Sequence, residues 1–313
     1  MARFEHVAVV GAGLMGQYIA LIYAATGSRV RLIDLDQGRL DKALRRIEAT
    51  LANTTNLVPQ WKDAKGIRGR ISTELDLIKG IADAELILEA IFENAQAKRD
   101  LFAKISGNCS QQTIITSNTS ILNAFELMPE SMLPRAAMTH FFVPPHIVPL
   151  VEVVVAPNAD SDVFPALKEY LTQADMRPIF LKKFIKGFII NRLQRAYNRE
   201  AFQLIEDGFA DAQAIDAAVK ASLAIRFPVM AIMEKNDQAG LDLVLNNFNE
   251  KLDLVNHENP PRLLETMVTA GKLGFKSSRG FYDYSTADIA ETIRARDEKL
   301  LRIRQLMQEL GEL

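Results

Sequence analysis

The sequence predicts an α/β fold: an N-terminal doubly wound sheet followed by an all-α C-terminal domain. Three observations carry that prediction. From residue 3 to about 183, short β-branched runs alternate with helical stretches, the pattern of a sheet covered by helices on both faces. A Gly-x-Gly-x-x-Gly turn follows the first of those runs. Beyond Lys183 the apolar spacing becomes helical, and the 313 residues suggest about two domains. The expected division is 1–183 for the dinucleotide-binding domain, 184–285 for a helical substrate and dimerisation domain, and 286–313 for a helical tail.

The first strand, Val7-Ala8-Val9-Val10, runs directly into Gly11-Ala12-Gly13-Leu14-Met15-Gly16. Gly11 permits the tight turn, Gly13 lets the backbone approach a pyrophosphate, and Gly16 lets the following helix sit close to the strand. The helix N-terminus then offers free N–H groups to phosphates. A second strand, Val30–Ile33, ends at Asp34, about twenty residues beyond the glycines, where a carboxylate accepts hydrogen bonds from the adenosine ribose. Such an acid repels a 2′-phosphate. The N-terminal half therefore reads as a Rossmann-like domain for NAD, with Gly11, Gly13, Leu14, Met15, Gly16 and Asp34 at the cofactor.

Further strands are expected at Ala84–Ile91, Thr113–Thr116, Ala136–Phe142, Leu150–Val155 and Arg177–Leu181. In the second half, Ile190, Leu193, Tyr197, Ala201 and Leu204 form a helical stripe expected to bury one face in its own domain, with Gly208 at the C-cap position. Pro228, Gly240 and the Pro260-Pro261 pair separate the helices that follow. From about Ala287 to Leu310 the chain is charged and punctuated by Leu and Ile, as in a solvated amphipathic helix.

Composition suits a globular enzyme, with 48% hydrophobic and 24% charged residues. A net charge of −2 without basic blocks argues against nucleic acid or an anionic membrane as the main partner. Cys109 is the single cysteine, so no intramolecular disulfide forms and a cytoplasmic setting is expected, with the thiol in a packing role. The first strand begins too early for a signal peptide, no apolar run reaches membrane-spanning length, and no metal is expected.

The chemistry is read from the middle of the chain. One strand carries His140, a Pro-rich connection follows, and the next strand carries Glu152, so the two residues can lie side by side. Alcohol oxidation needs a base for the hydroxyl proton while hydride leaves carbon, and histidine suits that task. A carboxylate on the other ring nitrogen holds the tautomer and steadies the imidazolium. Spacing alone is equally compatible with a packed histidine and a surface glutamate.

The residues resemble the L-3-hydroxyacyl-CoA dehydrogenase family over nearly the whole chain. Besides the fingerprint, the resemblance rests on Leu88-Glu89-Ala90-Ile91-Phe92-Glu93-Asn94, Ser117-Asn118-Thr119-Ser120, His140-Phe141-Phe142, Leu150-Val151-Glu152-Val153, Gly187-Phe188-Ile189-Ile190-Asn191-Arg192 and Arg279-Gly280-Phe281-Tyr282-Asp283-Tyr284. It implies NAD-dependent oxidation of a 3-hydroxyl to a 3-keto group, with His140 as base, Glu152 as its orienting partner, and Ser120 and Asn191 holding the substrate oxygen. It also implies that Glu93, Lys98 and Asn118 lie near the cofactor and that the chain forms a homodimer through its C-terminal domain. As plain structure, Ser120 reads as a helix cap, Asn191 as a backbone partner, and Glu93 with Lys98 as a helix-surface pair.

Two departures bear on the substrate. The family's HFFNP becomes His140-Phe141-Phe142-Val143-Pro144, and its Gly-Pro before Gly240-Leu241-Asp242 is absent. The connection Pro144-Pro145-His146-Ile147-Val148-Pro149-Leu150 is similar to the branch holding L-gulonate 3-dehydrogenase, L-carnitine dehydrogenase and a pyridoxal-degradation dehydrogenase, whose substrates carry no CoA. A CoA-free hydroxy compound is therefore the alternative substrate, and a crystallin-like structural or NAD-sensing protein the non-enzymatic one. His146 is expected as a solvated loop residue, with contact to substrate as the alternative; Lys62, Lys65, Arg68 and Arg70 are surface charge or contacts to CoA phosphates.

Overall fold

The computed structural model describes residues 4–54, 58, 61–249 and 262–312. The Pro260-Pro261 break lies outside them. The chain divides into two compact units, Met1–Ile189 and Ile190–Leu313.

In the first unit, eight strands form one sheet: β1 (His6–Val10), β2 (Arg29–Ile33), β3 (Ile71–Glu74), β4 (Leu86–Glu89), β5 (Ile114–Ser117), β6 (Ala136–Phe141), β7 (Leu150–Val155) and β8 (Arg177–Phe180). Their order is β3-β2-β1-β4-β5-β6-β7-β8. Strands β3 through β6 run parallel in the doubly wound order, β7 turns antiparallel to β6, and β8 runs parallel to β7. Strands β4, β5 and β6 are buried at every residue, as expected of strands covered on both faces.

Helices α1 (Leu14–Ala25), α2 (Gln37–Thr54), α3 (Ala64–Gly69), α4 (Leu77–Ile81), α5 (Ala95–Ser106) and α6 (Val163–Gln173) connect these strands. On one side Phe102 and Ile105 of α5 pack with Val10, Ile87, Ile115 and Met138. On the other, Tyr23 of α1 stands edge-on to Phe141 and against Tyr170 of α6.

Strand β3 was not expected. Its sequence Ile-Ser-Thr-Glu holds one apolar residue and lies at the sheet edge, where one neighbour and little burial leave no apolar run to read. The run expected at Ala84–Ile91 pairs only over Leu86–Glu89, because Ala84 closes a turn on Ile81 and the chain leaves the sheet at Ala90. Phe142 and Leu181 likewise fall just beyond their strands.

The described residues of the second unit form α7 (Ile190–Glu206), α8 (Ala212–Ala221), α9 (Leu223–Arg226), α10 (Ile232–Ala239), α11 (Leu241–Asn249), α12 (Arg262–Thr269) and α13 (Ile289–Glu309). Gly208 and Gly240 end helices with φ of 75° and 92°. Asp288 caps α13 by accepting from the Ala290 and Glu291 amides. The stripe on α7 does not bury one face within the chain: Leu193 is 42% and Tyr197 59% exposed. Only Arg199 and Leu301 are buried among the described residues of this unit. A helical unit this short of core has its apolar surface outside.

Candidate functional site

The glycine turn follows from close approach. Gly11 has φ 109°, its amide donates to Ile33 O at 2.7 Å, and a Cβ there would stand 2.6 Å from Ala90 O. A Cβ on Gly16 would stand 1.8 Å from Gly11 O, so α1 cannot sit this near β1 with any other residue. Gly13 differs: nothing lies within 4 Å of its absent Cβ. Gly13 also caps α1 with no side-chain hydrogen bond and no acid in the first turn, which leaves the helix N–H groups and their partial positive charge open to an anion.

These residues line a groove of about 1160 Å³ that includes Gly11, Gly13, Leu14, Met15, Asp34 and Asn118. Gly16 lies beneath it. At the end of β2, Asp34 accepts from Ala12 N at 2.9 Å and from Asp36 N at 3.2 Å, which fixes its carboxylate at the groove wall. The residues present fit a dinucleotide: an open helix N-terminus for phosphates, an acid for ribose hydroxyls, and apolar walls from Ile33, Ile78 and Leu101 for a flat ring. Arg39 also lines the groove, with Nε 3.8 Å from the Asp36 carboxylate. The three residues after Asp34 lack an arginine; Arg39 enters one helical turn further along, and its i,i+3 spacing from Asp36 was the available signal.

Beyond the groove, the antiparallel β6–β7 ladder sets His140 directly opposite Glu152. His140 Nδ1 lies 3.0 Å from Glu152 Oε2, and Ser120 Oγ lies 3.1 Å from Nε2 on the other edge of the ring. Both His140 and Glu152 are buried, which removes the reading of Glu152 as a surface residue. The second Glu152 oxygen accepts from Ile189 N at 2.8 Å. Phe188, at φ 50°, stacks on the imidazole, and Phe142 meets it edge-on. Gly187 N donates to Ser120 O, so this left-handed turn touches Ser120, His140 and Glu152 together.

Asn118 Oδ1 accepts from Phe141 N at 2.9 Å, which joins the groove to the strand bearing His140. A hydroxyl in line with an imidazole and a buried carboxylate is the arrangement of a positioned proton acceptor. Asn191 is the second residue of α7 and belongs to the second unit.

Glu93 and Lys98 are not a helix-surface pair. Lys98 is 1% exposed, with Nζ 2.6 Å from the buried Glu89 and 3.2 Å from Glu93. Glu93 Oε1 faces the turn at Thr119–Leu122. Burial raises the Glu93 carboxyl, but the Thr119 hydroxyl, the Lys98 ammonium and the Ile121 amide outweigh it and hold the group below its ordinary value. Glu89 was not singled out from the sequence as a site residue, since an acid ending an apolar strand carries no sign of its partner nine residues on.

The expectation for His146 is corrected. It is 5% exposed and lies between Tyr18, with ring centroids 4.4 Å apart, and Trp61, at 6.0 Å. Aromatic neighbours from α1 and from the segment before α3 cover a connection that reads as an exposed loop in sequence. Arg68 pairs with Glu48 and Arg70 bonds Ala24 O, leaving Lys62 and Lys65 as the exposed cations of that group. Cys109 packs against the core, and burial raises its thiol. Among the described residues no group of three or more His, Cys, Asp or Glu is placed to hold a metal ion, and no helix is long and apolar enough to cross a membrane.

Comparison with known proteins gives this geometry its class: an NAD-dependent oxidoreductase that acts on CH–OH groups. Residues 6–184 match the 3-hydroxyacyl-CoA dehydrogenase NAD binding domain and residues 187–284 match the C-terminal domain, so the chain belongs to the 3-hydroxyacyl-CoA dehydrogenase family. It is 33% identical to the mitochondrial hydroxyacyl-coenzyme A dehydrogenase of Homo sapiens over 292 residues, 90% of this chain and 91% of that protein. It is 27% identical over 313 residues to the 5-formyl-3-hydroxy-2-methylpyridine 4-carboxylate 5-dehydrogenase of Mesorhizobium japonicum, covering 97% of this chain and 98% of that one. The crystal structure of a 5-formyl-3-hydroxy-2-methylpyridine 4-carboxylic acid 5-dehydrogenase shares the fold, with a TM-score of 0.87, 24% identity and coverage of 97% and 98%.

Proposed function

We propose that the chain oxidises the 3-hydroxyl of a 3-hydroxyacyl-CoA to the 3-keto product. The observation that carries this reading is the line Ser120–His140–Glu152, which joins the turn after β5 to the neighbouring strands β6 and β7. NAD, when bound, supplies the hydride acceptor. Gly11, Gly13, Leu14, Met15 and Asp34 hold the cofactor, with Gly16 setting the turn and Asn118 beside it. His140 Nε2 takes the hydroxyl proton as hydride leaves the carbon. Glu152 keeps Nδ1 protonated and faces the imidazolium with its charge, while Ser120 and Asn191 hold the substrate oxygen. The test follows NADH at 340 nm, with acetoacetyl-CoA in reverse and 3-hydroxyacyl-CoA forward. Turnover with neither ends this reading.

A second reading, a small CoA-free hydroxy compound, is favoured by the 97% of this chain that aligns with the Mesorhizobium japonicum dehydrogenase and by Val143 where the family's motif has asparagine. Carnitine, gulonate, free 3-hydroxy acids and hydroxymethylpyridines in the same assay separate the two. The first reading assigns the enzyme to fatty acid metabolism; the second does not. The exposed apolar face of α7, with Ile225, Met233 and Leu241 also open, supports a homodimer formed through the helical unit, and a single half-buried cysteine supports a cytoplasmic setting. Sedimentation at micromolar concentration tests the assembly, and a monomer there argues against it.

A further inference from the structure

We infer that Glu89 is a positioning residue of the cofactor groove: its buried carboxylate ties together three segments that form the groove wall. The inference rests on the proposed reading that this groove receives the dinucleotide. Strands β1, β4 and β5 end in register at Val10, Glu89 and Ser117. The residues that follow, Gly11, Ala90 and Asn118, line the groove, so the ladder stops where the wall begins. Ala90 N to Val10 O and Asn118 N to Glu89 O, both 2.8 Å, are the last rungs among these strands. Beyond them the Glu89 side chain continues the tie. Its Oε1 accepts from Ile91 N at 2.8 Å and from Lys98 Nζ at 2.6 Å, and its Oε2 accepts from Ser117 Oγ at 2.5 Å.

Each donor reaches a different part of the wall. Ile91 lines the groove in the loop after β4, Ser117 immediately precedes Asn118, and Lys98 follows Ala97 on α5. Ladder bonds constrain neither the loop amide of Ile91 nor the rotation of α5 about its axis; bonds to one fixed carboxylate constrain both. The tolerance is small, because Ala90 O lies 2.6 Å from where a Cβ on Gly11 would stand. The Glu89 and Lys98 side chains are 0% and 1% exposed, so each is the other's counter-charge in the interior. Lys98 Nζ also lies 3.2 Å from Glu93 Oε2. A glutamine at position 89 fits the same space: its carbonyl accepts from Ile91 N and Lys98, and its amide donates to the Ser117 hydroxyl. What it removes is the charge that balances Lys98, whose ammonium is then drawn to Glu93.

The test uses the full chain with NADH as the probe. Glu89→Gln is expected to weaken the NADH Kd from fluorescence titration by about tenfold, the scale of a slightly displaced binding wall, and to place most of its loss in kcat/KM for NAD in KM. Leu171→Ala, in the core on α6, is the control for stability: it is expected to lower Tm and keep the wild-type Kd, because a protein that remains folded binds through its native groove. A wild-type Kd in Glu89→Gln, with binding weakened in Asp34→Ala, overturns the inference, as does a loss carried by kcat with KM kept. If Asp34→Ala also binds NADH as wild type does, the reading of the groove fails and the inference falls with it. Equal loss of affinity in Leu171→Ala makes the effect one of stability and overturns the inference too. Should Glu89→Gln not fold, Ser117→Ala removes one bond to the same carboxylate and is expected to weaken the NADH Kd by about threefold; an unchanged Kd there overturns the inference.

Discussion

The Phe188 ring lies flat against the His140 imidazole, with centroids 4.6 Å apart and planes 22° from parallel. It does so from a backbone at φ 50°, a conformation that costs a bulky residue energy and is sustained by its surroundings. Phe188 is fully buried, and its following amide holds Glu152. Phe188→Ala is expected to cost about 3–5 kcal/mol of stability, as loss of a buried aromatic ring does, and to reduce kcat by freeing both members of the pair. Thermal unfolding and steady-state kinetics check the two effects separately; unchanged turnover in the folded variant rejects the positioning role.

Replacing His140 removes the proposed proton acceptor. His140→Gln or His140→Ala should lower kcat by roughly 10²–10⁴ with little change in NAD affinity. Glu152→Gln should slow the same step, because the imidazolium that forms loses its counter-charge. A His140→Gln enzyme that turns over at the wild-type rate shows that another group is the base.

Gly13 and Gly16, three residues apart, should fail differently. Gly13→Ala adds a methyl with nothing of the chain within 4 Å, so the protein should fold with unchanged Tm while NAD binding weakens by about tenfold or more. Gly16→Ala drives a methyl into Gly11 O and should lower Tm as well as cofactor affinity. Calorimetry with and without NAD distinguishes them, and identical behaviour counts against the open face assigned to Gly13.

Asp34 should make NAD preferred over NADP by roughly tenfold or more, since a 2′-phosphate beside the carboxylate costs on the order of 1–3 kcal/mol. Asp34→Ala should relax that preference more than it lowers kcat with NAD. Arg39, one turn away, gives the variant a cation for the phosphate. Equal kcat/KM for both cofactors in the wild type defeats the assignment.

The lowered Glu93 carboxyl sets the sign of one acid effect. A group depressed in the folded state contributes its stability above the unfolded value, near 4.5, and loses it as pH falls through the lower folded value. The stability difference between wild type and Glu93→Gln should therefore be constant at neutral pH and shrink below about pH 4.5. Denaturant titrations at several pH values measure it, and a difference that grows on acidification contradicts the network.

How far sequence reaches into this molecule depends on the kind of contact. Gly11, Gly13 and Gly16 are readable because a backbone constraint selects one residue type, and His140 with Glu152 because adjoining strands on a short connection bring them together. The Glu93 contacts are not readable, since they span 26 to 29 positions and, apart from the Thr119 hydroxyl, end on backbone N–H groups that nearly every residue possesses. His146 looked like a loop residue because nothing in Pro144–Leu150 announces that Tyr18 and Trp61 will cover it. Strand β3 was missed for want of an apolar run, being held by ladder bonds to β2 at an edge.

Strand β7 reads Leu-Val-Glu-Val-Val-Val, apolar on both faces, so hydrophobicity hardly distinguishes one alignment with β6 from the next. A slip by one residue exchanges one apolar residue for another everywhere except around Glu152, which it turns to the far side of the sheet, away from His140 and Ile189 N, where a buried carboxylate has lost its partners. The same two side chains that are set up to move a proton therefore act as an alignment key for the strand. Replacing both with well-packed apolar residues removes the chemistry and, with it, the one feature that makes a single pairing cheaper than its neighbours.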